Sequence, residues 1–187
     1  MIPPFSHLFV IFLKSIAFTA STCGSLTISI TLGFVLGLVS GNKLNDISSF
    51  REKKNFINRS YSRATLAAVA LALSANEFIA SSLGGFACTG IAVLSSGVMS
   101  SALSFQFFQF PSLVSKTFGG DKAITQSVIE GFALITSSRI LSSIVNIAST
   151  TGLSSNGWTL AWLFLAACFA LGERVTNAFL PYLYDSQ

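Results

Sequence analysis

Charged residues are scarce in this chain. Only 10% of its 187 residues are charged, while 51% are hydrophobic, whereas a soluble domain carries about 25% charged residues. Segments 15–42 and 140–172 contain no Lys, Arg, Asp or Glu at all. Because no polar face remains to cover such an apolar core, a soluble fold is not expected. The composition predicts an all-α, polytopic membrane helix bundle.

Cysteine and histidine, which commonly bind metals or take part in catalysis, are also few. Cys23, Cys88 and Cys168 fall in three separate apolar segments, without the spacing of a metal or redox motif. We interpret them as buried small side chains. No Gly-rich phosphate loop follows a predicted strand. We therefore expect no enzyme, no catalytic residues, no metal site and no evident cofactor, while binding of a pigment or a lipid is left open.

Six apolar segments come close to the roughly 20 residues that a helix needs to cross a bilayer, and they form a single membrane domain. The segments are 5–22, 25–41, 63–83, 86–109, 123–147 and 158–180. The first two are short and separated only near Gly24, so one kinked helix is the alternative to two spans. The start of the chain lacks the basic region of a signal peptide, so no cleavable signal is expected; a longer precursor is the alternative.

The positive charges are concentrated between these segments. Six of the eleven basic residues lie in or beside the predicted basic loop 42–62, and two more lie in loop 110–122. With six spans, both loops fall on one side of the membrane. The positive-inside rule assigns this side, and both termini, to the cytoplasm or its organellar equivalent. The net charge of +4 therefore reports topology, and no nucleic-acid partner is expected.

Glycine recurs at every fourth residue in the second segment, as Gly33, Gly37 and Gly41. This spacing places the three glycines on one helix face, where a second backbone can approach closely in lipid. We interpret this face as a helix-packing surface.

Ionisable side chains inside the spans are candidates for an ion or substrate path, because charged groups in lipid are costly and rare. They are Glu77, Glu130, Arg139, Glu173 and Arg174. At about 1.5 Å per residue, similar depths suggest that Glu77 pairs with Arg139 and that Glu130 pairs with Arg174. These pairs either tie helices together or form a site in which Arg139 binds an anion and a carboxylate takes up a proton.

Gln106 and Gln109 stand three residues apart in a run of phenylalanines. They share one helix face, and an amide that faced lipid would lose its hydrogen bonds. We expect both amides to face protein or a water-filled vestibule, and the helix to end at Pro111. The two glutamines either line the inner half of a path or cap neighbouring helix ends.

The second half of the chain carries an ordered set of motifs. Pro111 is followed by Phe118-Gly119, then by Gly131 in the next segment and by Gly157-Trp158 at the start of the last one. This order resembles helices ten to twelve of transporters of the major facilitator superfamily (MFS). Six spans with cytoplasmic termini likewise resemble the C-terminal half of such a protein. Loop 42–62 departs from the family pattern, because it lacks the Asp-Arg pair.

The resemblance implies an MFS-like secondary transporter that moves a small solute. Such a transporter needs two six-helix halves, so the chain either dimerises, is a fragment, or does not transport. The last option leads to a different class, a non-transporting accessory subunit of a respiratory or photosynthetic membrane complex. A second, weaker similarity links the helix that opens at Arg63-Ala64 to light-harvesting-type helices. The expected partners are the lipid bilayer and either a second copy or the subunits of a larger complex.

Overall fold

The computed structural model describes residues 20–47, 49–118 and 155–184, together with residues 124, 127–128, 139, 142–143 and 146. Five helices occupy the continuous ranges: α1 (Ala20–Asp46), α2 (Phe50–Ala75), α3 (Glu77–Leu83), α4 (Gly85–Phe118) and α5 (Ser155–Tyr184). The shorter described pieces are helical as well. The part of the chain that the structure describes contains no strand, which confirms the predicted all-α class.

Three of these helices are long and apolar enough to cross a membrane. Their apolar spans are Gly24–Lys43 in α1, Gly85–Ser104 in α4 and Gly157–Ala178 in α5, and each overlaps a span predicted from the sequence. They indicate an integral membrane protein, whereas the total of six spans stays a prediction. The predicted segment 5–22 up to residue 19, and most of segment 123–147, lie outside the described residues.

The predicted third span, 63–83, is interrupted at Asn76. The backbone is extended there, with φ −77° and ψ 124°. The side-chain carbonyl of Asn76 accepts hydrogen bonds from the backbone N–H groups of Phe78 and Ile79 at 3.1 and 3.3 Å. Asparagine in this position caps a new helix, so α2 ends and α3 begins inside this segment. Gly84 then ends α3 at φ 81°, a backbone conformation that favours glycine.

The basic segment 42–62 is mostly helical, although the sequence analysis predicted a loop. α1 continues to Asp46 and α2 begins at Phe50, so only a short connection separates them. Glu52 lies in the first turn of α2, where a carboxylate interacts favourably with the helix dipole. The loop was predicted because the apolar pattern ends near Gly41. Helix formation does not require apolar residues, so the helix continues beyond this point.

The second predicted loop, 110–122, is also helical for most of its length. α4 runs through Pro111 to Phe118, so the prediction that the helix ends at Pro111 is wrong. Proline removes a backbone donor and disfavours the turn before it. Helices in membranes nevertheless tolerate proline, because neighbouring groups satisfy the backbone carbonyl that it leaves free. The expected boundary near Gly24 also lies within a helix, α1.

The four long helices pack in a row. α1 packs mainly against α4, α4 also packs against α2, and α2 packs against α5. α1 and α4 run parallel, because Ser29 donates a hydrogen bond to the Val93 carbonyl at 2.6 Å and Gly37 lies against Ser101. α2 runs antiparallel to α5, as two hydrogen bonds show. α2 also follows α1 after a connection of only a few residues and packs against α4, so it runs opposite to both.

This arrangement gathers most of the described basic residues at one end of the row, which we call the basic end. The C-terminal ends of α1 and α4 and the N-terminal end of α2 lie there. Lys43 on α1 and Lys116 on α4 therefore belong to the same end as the basic first half of α2. Which side of the membrane the basic end faces stays a prediction.

Alanine and tryptophan form the core between α2 and α5. Ala64, Ala68 and Leu71 on α2 are fully buried, in one cluster with Trp158 and Trp162 on α5. The small alanine side chains leave room for the two indole rings between the helices.

Candidate functional site

Polar side chains are concentrated where α2 and α5 pack near the basic end. They occur as two triplets with the same spacing, in which the second and third residues follow the first by three and four positions. This spacing places each triplet on one face of its helix. We call these six residues the polar cluster: Asn58, Tyr61 and Ser62 on α2, and Glu173, Thr176 and Asn177 on α5.

Two hydrogen bonds join the triplets. The hydroxyl of Thr176 donates to Tyr61 Oη at 3.1 Å, and Thr176 is buried. The hydroxyl of Ser62 donates to Glu173 Oε2 at 3.5 Å, a longer contact at the limit of hydrogen bonding. The two contacts fix the register between the helices at this level.

Gly172 makes room for the aromatic ring in the cluster. A Cβ atom at this position would lie 2.9 Å from Tyr61 Cε1, which is closer than a carbon–carbon contact permits. Glycine therefore allows the Tyr61 ring to lie against the backbone of α5, from where its hydroxyl reaches Thr176.

Two oxygen atoms of the cluster have unused hydrogen-bonding capacity. Asn58 Oδ1 and Asn177 Oδ1 are buried and accept no hydrogen bond from any residue that the structure describes. An unsatisfied buried polar atom costs about 1–3 kcal/mol, so native proteins rarely retain one without a reason. These two carbonyl oxygens are available to a donor or a cation.

Glu173 provides the negative charge of the cluster. It is half-buried and lies within the apolar span Gly157–Ala178. A carboxylate beside a hydroxyl group can exchange a proton, and it can also help to hold a hard cation. With one carboxylate, the cluster suits a proton or a monovalent cation better than a divalent metal ion.

The residues predicted to form an ion or substrate path are described to different extents by the structure. Arg174 is exposed beside Glu173, and Arg139 is helical and exposed. Glu77 is the first residue of α3, but its side chain lies outside the described atoms, and so does the whole of Glu130. The predicted pairs Glu77–Arg139 and Glu130–Arg174 therefore stay predictions. Gln106 and Gln109 lie within α4. The structure does not describe their side chains, so the direction in which the two amides face stays a prediction.

The glycine face of α1 lies at the contact with α4. A Cβ atom on Gly33 would overlap the backbone carbonyl of Gly97, and one on Gly37 would overlap Ser101 and Ser104. Gly41 is buried as well. The two backbones touch along this face, which is the close approach that small residues permit in lipid.

Sequence reasoning missed most of the polar cluster. Asn58, Tyr61 and Ser62 fell in or beside the segment that was predicted to be a loop, so their shared helix face was not considered. Thr176 and Asn177 carry no charge and stand in no run of aromatic residues, so nothing local in the sequence marks them as site residues. The matching spacing of the two triplets is the signal in the sequence that could have revealed the cluster. The signal can be recognised only if α2 is known to be helical from Phe50 onward.

Comparison with protein families, with curated proteins and with solved structures gave no match to this chain. The resemblance to MFS transporters thus rests on the motifs in the sequence.

Proposed function

We propose that this chain is an MFS-like integral membrane protein that moves a small solute, and that the polar cluster takes up the coupling proton or monovalent cation. The observation that carries the proposal is Glu173, a carboxylate held inside an apolar span beside Ser62. Charged residues within membrane helices commonly mark ion and proton paths. A contact that served only for packing would be filled more simply by an apolar residue.

The polar cluster offers further oxygen atoms besides the Glu173 carboxylate. Asn58 Oδ1 and Asn177 Oδ1 add buried acceptors, and Tyr61 adds a hydroxyl. In transporters, backbone carbonyl oxygens between helices coordinate the sodium ion, and the side-chain carbonyls of Asn58 and Asn177 are acceptors of the same chemical type. Neutralisation of Glu173 by a proton or a cation would lower the cost of moving this contact through an apolar environment.

The experiment is transport by purified protein in liposomes. A panel of sugars, amino acids, nucleosides and organic anions is added under an imposed proton or sodium gradient, and the current across a supported membrane is recorded. We expect a current with at least one solute, and we expect Glu173→Gln to abolish its dependence on the gradient. Asp46→Asn, at the end of α1, removes a carboxylate outside the cluster and should retain full activity. An unchanged gradient dependence in Glu173→Gln would refute the role of the cluster.

A second function is supported by the outer face of α1. Ile28, Leu32, Val35, Leu36 and Val39 are all exposed on this helix, and in a membrane they contact lipid or another protein. This face would suit an accessory subunit of a larger complex. Native mass spectrometry from mild detergent separates the two functions, because a homodimer favours transport and a fixed ratio to other subunits favours the accessory role.

A further inference from the structure

An exposed row of arginines runs along the first half of α2, and the proposed function does not use it. Arg51, Arg59 and Arg63 are exposed, and so is Asn55 between the first two. Successive members are four residues apart, so they follow one face of the helix over about 18 Å. We call these four residues the arginine row.

The arginine row crosses the level at which the apolar spans end. Ser60, beside Arg59, bonds to the carbonyl of Ala102 in α4, and Ala102 lies inside the apolar segment 86–109 of the sequence. Because α2 and α4 run in opposite directions, Arg51 lies near the end of this segment, and Arg59 and Arg63 lie progressively deeper beside it. Long arginine side chains at this depth extend toward the headgroup layer.

The helix itself offers little negative charge to the row. Glu52 is the sole acidic residue in the sequence of α2. The nearby carboxylate of Glu173 is approached by Ser62 and belongs to the polar cluster. Arg59 and Arg63 are like charges one turn apart, an arrangement that destabilises a helix unless an anion lies between them.

We propose that the arginine row binds the phosphate groups of anionic phospholipids and so holds the first half of α2 at the level of the lipid headgroups. Arginine has a planar set of donors that matches a phosphate in a bidentate way. Basic residues next to a membrane helix attract anionic lipids by about 1 kcal/mol each. The occupant is a lipid headgroup because the row begins near the end of the apolar segment of α4 and continues beside it, where the acyl chains of the same lipid contact the exposed Leu66.

The test measures lipid binding to the purified full chain by native mass spectrometry, with phosphatidylglycerol as the anionic probe and phosphatidylcholine as the zwitterionic one. We expect phosphatidylglycerol to bind more tightly. Arg59→Gln should weaken its binding about fivefold, and Arg51→Gln with Arg59→Gln about 25-fold. Arg59→Lys keeps the charge and should lose less than Arg59→Gln. Glu52→Gln removes the carboxylate beside the row and should strengthen binding.

Lys43→Gln is the control of equal charge, because Lys43 is exposed at the basic end but lies on α1. It should change the affinity less than twofold. If Lys43→Gln and Arg59→Gln lose the same affinity for phosphatidylglycerol, the lipid is attracted by the overall positive charge and not by the arginine row, and the proposal is wrong. Inorganic phosphate is the second probe. If it binds as tightly as phosphatidylglycerol and displaces the lipid, the site is one for free phosphate and the proposal is wrong.

Discussion

The contacts at the two ends of the helix row are built in opposite ways. α1 meets α4 through glycine and serine, so that the backbones touch and the helices run parallel. α5 meets α2 through two buried tryptophans and the polar cluster, and these helices run antiparallel. Both solutions fill the space between helices in lipid, where van der Waals packing and hydrogen bonds replace the hydrophobic effect. The first contact depends on the absence of side chains, and the second depends on particular side chains.

The largest expected effect comes from adding a side chain to the first contact. Gly37→Leu places a branched group against the backbone of α4 at Ser101, so the helices must separate. We expect destabilisation by more than about 3 kcal/mol, measured by unfolding in mixed detergent. Leu38→Ala should have a far smaller effect.

Gly24→Leu is the matched control on the same helix, because a Cβ atom there would meet nothing within 4 Å. Equal stability of Gly37→Leu and Gly24→Leu would show that the backbones of α1 and α4 do not touch in the membrane.

The next effect comes from removing a side chain from the second contact. Trp162 is fully buried between α5 and α2, so Trp162→Ala leaves a cavity. We expect a loss of about 2 kcal/mol, which is below the roughly 3–5 kcal/mol typical of water-soluble cores, because lipid replaces water in the unpacked state. Leu163→Ala, at an exposed neighbouring position, should lose less than about 0.5 kcal/mol. A loss in Leu163→Ala as large as that in Trp162→Ala would contradict the assigned packing.

The smallest expected effects come from removing single hydrogen bonds, one at the α1–α4 contact and one at the α2–α5 contact. Ser100→Ala removes a bond to the Ile30 carbonyl at 2.8 Å and should cost about 0.6 kcal/mol, the average for membrane helices. Tyr61→Phe should cost more, about 1–1.7 kcal/mol, because it leaves the buried Thr176 hydroxyl without its partner. The coupling energy between Tyr61→Phe and Thr176→Val, from a double-mutant cycle, checks this assignment. A coupling energy near zero would mean that the bond contributes nothing.

The two contacts also differ in how far they could be predicted. The glycine face was visible because its period is local: Gly33, Gly37 and Gly41 repeat within one segment. The polar cluster joins residues more than a hundred positions apart, such as Tyr61 and Thr176. The sequence alone does not show that the two triplets meet, because each triplet by itself is an ordinary set of polar residues on a helix. The contact between α2 and α5 is needed to bring them together.

The helical class and the three apolar spans follow from composition and hydropathy, whereas the helix ends do not. Hydropathy marks where a chain enters lipid, and α2 begins well before that point at Phe50. The break at Asn76 depends on two capping hydrogen bonds, and the mean hydropathy of the segment does not reveal them. Continuation of α4 through Pro111 ran against the intrinsic preference of proline, and tertiary surroundings decide such cases.

The parallel contact of α1 with α4 has a consequence for synthesis of the protein. Ser29 and Val93 are 64 residues apart, which corresponds to roughly 3–13 s of translation at about 5–20 residues per second. During this interval Ser29 has been incorporated into the chain, but its partner on α4 has not yet been made. The glycine face of α1 is then open to lipid, to an insertion chaperone or to the same face of another nascent chain. Slowing translation between the codons for α2 and α4 would lengthen this exposure and favour the wrong partner.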